Sequence, residues 1–313
     1  MAPSVVFLVG HEDTPEAYWR VLLPARVLGA PALFVEDPRA AAAIAAASAV
    51  WLYQPTGYAA AEVAEKARAA GKRVIVDLAE DPELRTDYNS HRREAARRAL
   101  AAADTIVLAV PELQERFPQA EVVPTPYLGN EQPTPPLDPP TLLWWTDGRQ
   151  KGGWEQVADT IGELLEERGL RLHQAQLPHL RPLSQGVPEE RARERARHCH
   201  VFLTDAPTPD QQAEDLMRGA RGCFLHLETY TTPYGDCTSD LPLLRAAALG
   251  IPSLTMRSQA PPGCIAAPPH RWHHHIEQLL TEPGTHRALS QEARAWATSR
   301  ASVHAHRAIL GGD

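Results

Sequence analysis

The sequence predicts an α/β fold built as two doubly wound halves, and three observations carry that reading. Short β-branched runs alternate with alanine-rich stretches of helical period, the pattern of parallel strands joined by crossover helices. A proline-dense stretch interrupts the pattern, with seven prolines in the 17 residues 124–140, and the alternation then restarts. A length of 313 residues suits two domains of ordinary size.

In the first half the strands are expected at 5–9, 32–35, 50–53, 73–77, 105–109 and 121–123. The clearest helices are 62–70, ended by Gly71, and 90–103, opened by Ser90 as N-cap. Right-handed crossovers then give a parallel sheet. The proline stretch can propagate neither a helix nor a central strand, so it divides the chain into domains 1–128 and 141–313 with a linker at 129–140. The second half opens with a strand at 142–145 and a helix at 154–168, whose Trp154, Val157, Ile161, Leu164 and Leu165 share one face. Further strands are expected at 170–174, 201–204, 223–227 and 252–256, and helices at 210–219 and 241–249. Terminal helices at 270–280 and 287–301 complete the chain, the last expected to pack back on the first domain. These are two Rossmann-like halves. Ligands of such sheets bind beyond the carboxyl ends of the strands, which places function in a cleft between two facing sheets.

Composition excludes several classes. With 43% hydrophobic and 22% charged residues the chain reads as an ordinary globular protein, not a disordered, collagen-like or disulfide-stapled one. No apolar run approaches the roughly 18 residues of a membrane helix, and the start lacks a secretory pattern, so neither a membrane span nor secretion is expected. Cys199, Cys223, Cys237 and Cys264 form no CxxC pair and read as isolated thiols in a reducing compartment, which makes the cytoplasm the expected location. A net charge of −8 argues against a generic polyanion binder, so a nucleic-acid partner would need a local basic patch.

The segment TDGRQKGGWEQV follows the first strand of the second half. Gly148, Gly152 and Gly153 supply a permissive loop, and the helix after it presents unpaired backbone amides, an anion site. Arg149 and Lys151 add a guanidinium fork and an ammonium suited to a diphosphate. The competing reading is a solvated helix start with two surface cations. The loop is neither GxGxxG nor a P-loop, which argues against cofactors that use those signatures.

These segments resemble the glycogen-synthase-like group of retaining nucleotide-sugar glycosyltransferases, of GT-B fold and of the bacterial and phage type. GRQKGG is similar to the group's glycine, arginine, lysine, glycine signature, and SDLPLLRAAALGIPSLT to its donor-binding helix and the strand after it. AYWRVLLPARVLGA, VWLYQPT, RVIVDLAED and ADTIVLAVPELQERF resemble elements of its first domain. The resemblance implies transfer of a hexose from a nucleotide-diphosphate sugar, most simply a UDP-sugar such as UDP-glucose, to a hydroxyl acceptor, with no tightly bound cofactor. It implies that Gly148, Arg149, Lys151 and Gly152 hold the diphosphate and that Ser239, Asp240 and Leu241 open the donor helix. The group's paired glutamates, the second of which holds the donor ribose, fall here on Cys237 and Arg245, and a lysine of that helix is replaced by Pro242. Glu228, Asp236 or Asp240 could supply the carboxylate instead; a polar surface loop capping the next helix is the alternative.

Other candidates lie in the first half. Asp77, Glu80 and Asp81 follow its fourth strand and could orient or deprotonate an acceptor hydroxyl, against a reading as caps and surface charge. His11, with Glu12 and Asp13, follows the first strand, and Arg20 could reach donor phosphate or acceptor. His91, Arg92, Arg93, Arg97 and Arg98 make a basic run with Glu94 opposing it, a solvated face or a phosphate contact. Since phage-type relatives glycosylate hydroxymethylated bases in duplex DNA, such DNA is an expected acceptor; a glycan or small molecule is the alternative. No metal is expected: HRWHHH at 270–275 lacks a companion site, and RHCH at 197–200 reads as structural. Two other functions compete, a non-catalytic binding scaffold, supported by Arg245, and a sugar-nucleotide epimerase.

Overall fold

The computed structural model describes residues 4–10, 17–85, 88–127, 134–146, 151–176, 198–203, 209–231, 235–300 and 302–311. The chain divides into two compact units, one of Met1–Leu128, Cys237–Asp240 and Arg300–Asp313, the other of Gly129–Asp236 and Leu241–Ser299.

The first unit runs β1 (Val5–Val9), a π-helical turn (Tyr18–Leu22), α1 (Leu23–Leu28), β2 (Ala32–Phe34), α2 (Ala40–Ala46), β3 (Ala49–Tyr53), α3 (Tyr58–Ala69), β4 (Arg73–Leu78), α4 (Ser90–Ala102), β5 (Thr105–Leu108) and β6 (Glu121–Val122). Its six strands pair in parallel in the order β2-β1-β3-β4-β5-β6. In the central strands β1, β3 and β4 the β-branched and aromatic residues, among them Phe7, Trp51 and Ile75, are buried, as strands covered on both faces require. Alanine stripes let α3 and α4 pack closely: Ala60, Ala61, Ala64 and Ala67 are buried on one, Ala95, Ala96, Ala99 and Ala102 on the other. Asn89, not Ser90, caps α4, because its backbone is extended and its side chain accepts from the Arg92 amide. Gly71, at φ 72°, takes the left-handed position just past α3.

The second unit runs β7 (Thr141–Thr146), α5 (Lys151–Arg168), β8 (Arg171–Gln176), β9 (Cys199–Leu203), α6 (Pro209–Ala220), β10 (Leu225–Glu228), α7 (Leu241–Ala248), β11 (Ser253–Thr255), β12 (Cys264–Ala266), α8 (Trp272–Thr281) and α9 (Pro283–Ser299). The strand order is β12-β11-β10-β7-β8-β9, all parallel. Val157, Ile161, Leu164 and Leu165 of α5 are buried against Leu142, Leu172, Leu225 and Leu254 of the sheet, with Trp272 and Ile276 of α8 in the same cluster. The last helix, α10 (His304–Ile309), belongs with the first unit: Ile309 and Leu310 join its core, His306 stacks on Trp51 at 5.3 Å, and Arg73 donates to the Ile309 carbonyl at 2.6 Å.

Both strand orders reverse once near the middle, between β1 and β3 in one sheet and between β7 and β10 in the other. Counted from its own first strand, the second sheet has the 3-2-1-4-5-6 order, and crevices at such reversals are where open α/β sheets take ligands. No described helix is long and apolar enough to cross a membrane.

Candidate functional site

At the reversal of the second sheet, α5 starts where β7 ends and β10 runs alongside. Gly153, in the first turn of α5, lies so close to the chain leaving β10 that a Cβ would sit 1.8 Å from the Thr229 carbonyl oxygen. Only glycine permits that approach. Trp144 donates to Thr229 Oγ1 at 3.1 Å and stacks on Trp154 with centroids 4.0 Å apart, so indole and helix are fixed to the same loop. The start of an 18-residue helix is thereby pinned at the carboxyl edge of the sheet, where its free amides favour an anion. Lys151 and Gly152 belong to that first turn by their backbone, with side chains outside the described residues; Gly148 and Arg149 lie outside them altogether.

The acids that follow β10 are internally bound. Glu228 is fully buried: Oε1 accepts from Arg257 Nη2 at 2.7 Å, and Oε2 from Arg257 Nε at 2.8 Å and from Thr255 Oγ1 at 2.5 Å. The carboxylate expected to reach a donor thus ties the exits of β10 and β11, since a buried carboxylate needs a paired cation. Asp236 makes a second tie across the same loops, accepting from the Ser258 amide at 2.7 Å and from its hydroxyl at 2.8 Å. Beneath them His226 bonds Ser253 Oγ through Nδ1 at 3.0 Å, and burial, then the Arg257 charge, brings its pKa down to about 3. Leu241, at the head of α7, and Arg245, inside it, are both buried.

Ser239 and Asp240, expected beside Leu241 in a donor site, fall in the short segment that belongs with the first unit. There Ser239 Oγ lies 3.4 Å from Thr125 Oγ1, and Asp240 lies 3.7 Å from Arg300. Arg20 and Asp77, expected at an edge open to substrate, are buried against each other, both side chains wholly inside. Arg20 Nε donates to Asp77 Oδ1 at 2.6 Å and its Nη1 to the Val123 carbonyl at 2.8 Å and Thr125 Oγ1 at 3.2 Å, while Trp51 Nε1 donates to Asp77 Oδ2 at 2.9 Å. Thr125 therefore links Arg20, Asp77 and Ser239 into one network. Burial pushes the Asp77 carboxyl upward, against the Arg20 charge and the two hydrogen bonds. Asp81 is likewise buried; it accepts from the Glu83 amide at 2.9 Å and pairs with Arg116 at 2.5 Å, and burial raises its pKa.

Gln54 is a site-edge residue that the sequence reading missed. It sits just past β3 at φ 42°, a left-handed conformation costly for a side-chain-bearing residue. With its amide oxygen turned to the chain after β4, it accepts from Ala79 and Glu80 at 3.1 and 3.0 Å. A Cβ on Gly10 would stand 2.7 Å from the Gln54 carbonyl oxygen, so this reversal too is closed by a glycine. Gly10, ending the first β-branched run, was the available signal. His11 lies outside the described residues.

On α4 two arginines of the basic run are paired with carboxylates. Arg97 bonds Glu83 and Glu94, Arg98 makes a two-bond pair with Glu65, and Arg93 donates to the Arg85 carbonyl. The Arg92 guanidinium lies 5.2 Å from the Tyr88 ring centre. Cys199, Cys223 and Cys264 form no disulfide.

No family model and no curated protein matches this sequence. Solved structures do. A glycosyltransferase of Rickettsia africae superposes with a TM-score of 0.65 at 9% identity, over 99% of this chain and 98% of that one. The fold is GT-B. The spinosyn rhamnosyltransferase SpnG matches with a TM-score of 0.54 at 14% identity, over 98% and 99% of the two chains. A UDP-GlcNAc 2-epimerase of Neisseria meningitidis, solved bound to UDP-GlcNAc, gives 0.51 at 13% over 98% and 100%. The GT-B chain therefore shares its architecture with transferases and with an epimerase.

Proposed function

We propose that this chain is a glycosyltransferase that moves a hexose from a nucleoside-diphosphate sugar, a UDP-sugar first among them, to a hydroxyl acceptor. The observation that carries the reading is the start of α5, held at the chain reversal of the second sheet by the Gly153 and Thr229 contact, with Lys151 as its first residue and Arg149 two residues earlier in the chain. In the reaction the bond between the anomeric carbon and the diphosphate breaks, and one between that carbon and the acceptor oxygen forms. Arg149, Lys151 and the α5 amides stabilise the charge that grows on the leaving diphosphate. The acceptor proton passes to a base, for which His11 is the candidate; Asp81, buried with the Glu83 amide on one oxygen and Arg116 on the other, is assigned to holding the loop after β4. Asp77, whose two oxygens are bound by Arg20 and Trp51, is assigned to holding Arg20 in place. Retention at the anomeric carbon follows from the family resemblance alone.

The acceptor is a hydroxyl compound. Duplex DNA bearing hydroxymethylated bases draws no support from α4, where Glu65, Glu83 and Glu94 take up Arg97 and Arg98. A binding scaffold without turnover is the second reading, favoured by buried Arg245 standing where the resemblance expects a glutamate. Incubation with UDP-sugars and acceptors, including hydroxymethylated DNA, separates the readings. Nucleoside diphosphate released only with acceptor supports transfer, sugar interconversion without acceptor supports an epimerase, and binding without product supports the scaffold.

A further inference from the structure

Among the described residues β9 is an edge strand, paired with β8 alone, and edges of this kind are usually protected by some device. His173 of β8 and His200 of β9 are direct register partners, so both side chains leave the same face of the sheet. His173 Nε2 and His200 Nδ1 lie 3.2 Å apart, with the rings nearly perpendicular at 89°. Leu172 and Gln174, which flank His173 and point to the opposite face, are buried. His200 is exposed, so the pair is reachable from water.

Zinc to imidazole bonds are about 2.0–2.1 Å long, and at a tetrahedral angle they place two ligand nitrogens about 3.3 Å apart. The separation found between the strands matches that edge. We propose that His173 and His200 form a two-histidine site for a borderline divalent transition ion of the Zn²⁺ class, bridging β8 and β9. Imidazole suits such ions. Among the described residues no cluster of three or more metal-binding side chains occurs, and strand alternation sends Cys199 to the other face, so water or an external ligand takes the remaining positions. The site is open and exchangeable, unlike a closed structural centre. An imidazole binds metal in its neutral form. An ion gripping both strands would clip the edge and stabilise the folded state by mass action.

The test is calorimetric titration of the full chain with Zn²⁺ at pH 7.5, paired with melting curves. The unsubstituted chain is expected to bind at micromolar concentrations with a rise in melting temperature. Loss of an outer-shell partner alone costs a metal site about tenfold, so His173→Gln and His200→Gln should each weaken binding at least that much and abolish the rise. The triple substitution His273→Gln, His274→Gln, His275→Gln on α8 should leave both unchanged. His200 is exposed, so its variant keeps the test valid should His173→Gln fold poorly. No binding by the unsubstituted chain, binding that survives His200→Gln, or binding lost only with the α8 substitutions would each overturn the proposal.

Discussion

The Asp77 carboxylate accepts from Arg20 and Trp51, and both partners of the ion pair are wholly inside the first unit. Removing one partner of a buried pair leaves an uncompensated charge, a change that typically costs about 3–5 kcal/mol. Arg20→Ala should therefore lower the unfolding free energy by about that amount in urea titrations, while an exposed arginine such as Arg97, changed to Ala, should cost under about 1 kcal/mol. Equal effects would show that the buried network does not hold this unit together. Gly153→Ala makes a sharper demand, because the added Cβ would sit 1.8 Å from the Thr229 carbonyl oxygen. The start of α5 or the loop after β10 must move apart. Nucleotide binding should fall at least tenfold with a lowered melting temperature, read by calorimetry and thermal unfolding; unchanged affinity would separate the anion site from this contact.

At the scale of elements, α10 brings His306 onto Trp51 and beside Arg20, and burial, then the Arg20 charge, lowers its pKa from 6.5 to about 3. The unfolded chain takes up a proton near pH 6.5 that the folded chain refuses until about pH 3. Stability attributable to this residue is thus present above pH 6.5 and lost as pH falls through the window, with a limiting slope of about 1.4 kcal/mol per pH unit. His306→Phe keeps a ring against Trp51 and removes the titration, so its stability should fall less steeply between pH 6 and 4 than that of the unsubstituted chain. Parallel profiles would contradict the assignment. The parallel strands were legible because a strand buried on both faces must be a continuous β-branched run. α2 was not, since AAAAIAA carries no polar face to mark its period, and neither were three-residue β12, the π-helical turn or short α10. In the candidate site, Gly153 announced itself as a glycine at a helix start. The tie of Glu228 to Arg257 did not, because a buried ion pair joins residues by folding and leaves no local spacing to read.

At the scale of the whole molecule, a net charge of −8 means that an anionic donor must be drawn to a local cationic point, since the long-range field opposes it. The account places that point at Arg149, Lys151 and the amides that open α5. Donor affinity should consequently weaken as salt rises. Calorimetric titration of UDP into the unsubstituted chain and into the Arg149→Ala, Lys151→Ala double variant tests this most directly, with melting curves to verify that both are folded. The account predicts binding to the former and at least a hundredfold weaker binding to the latter at an unchanged melting temperature. Equal affinity in the two proteins would contradict it.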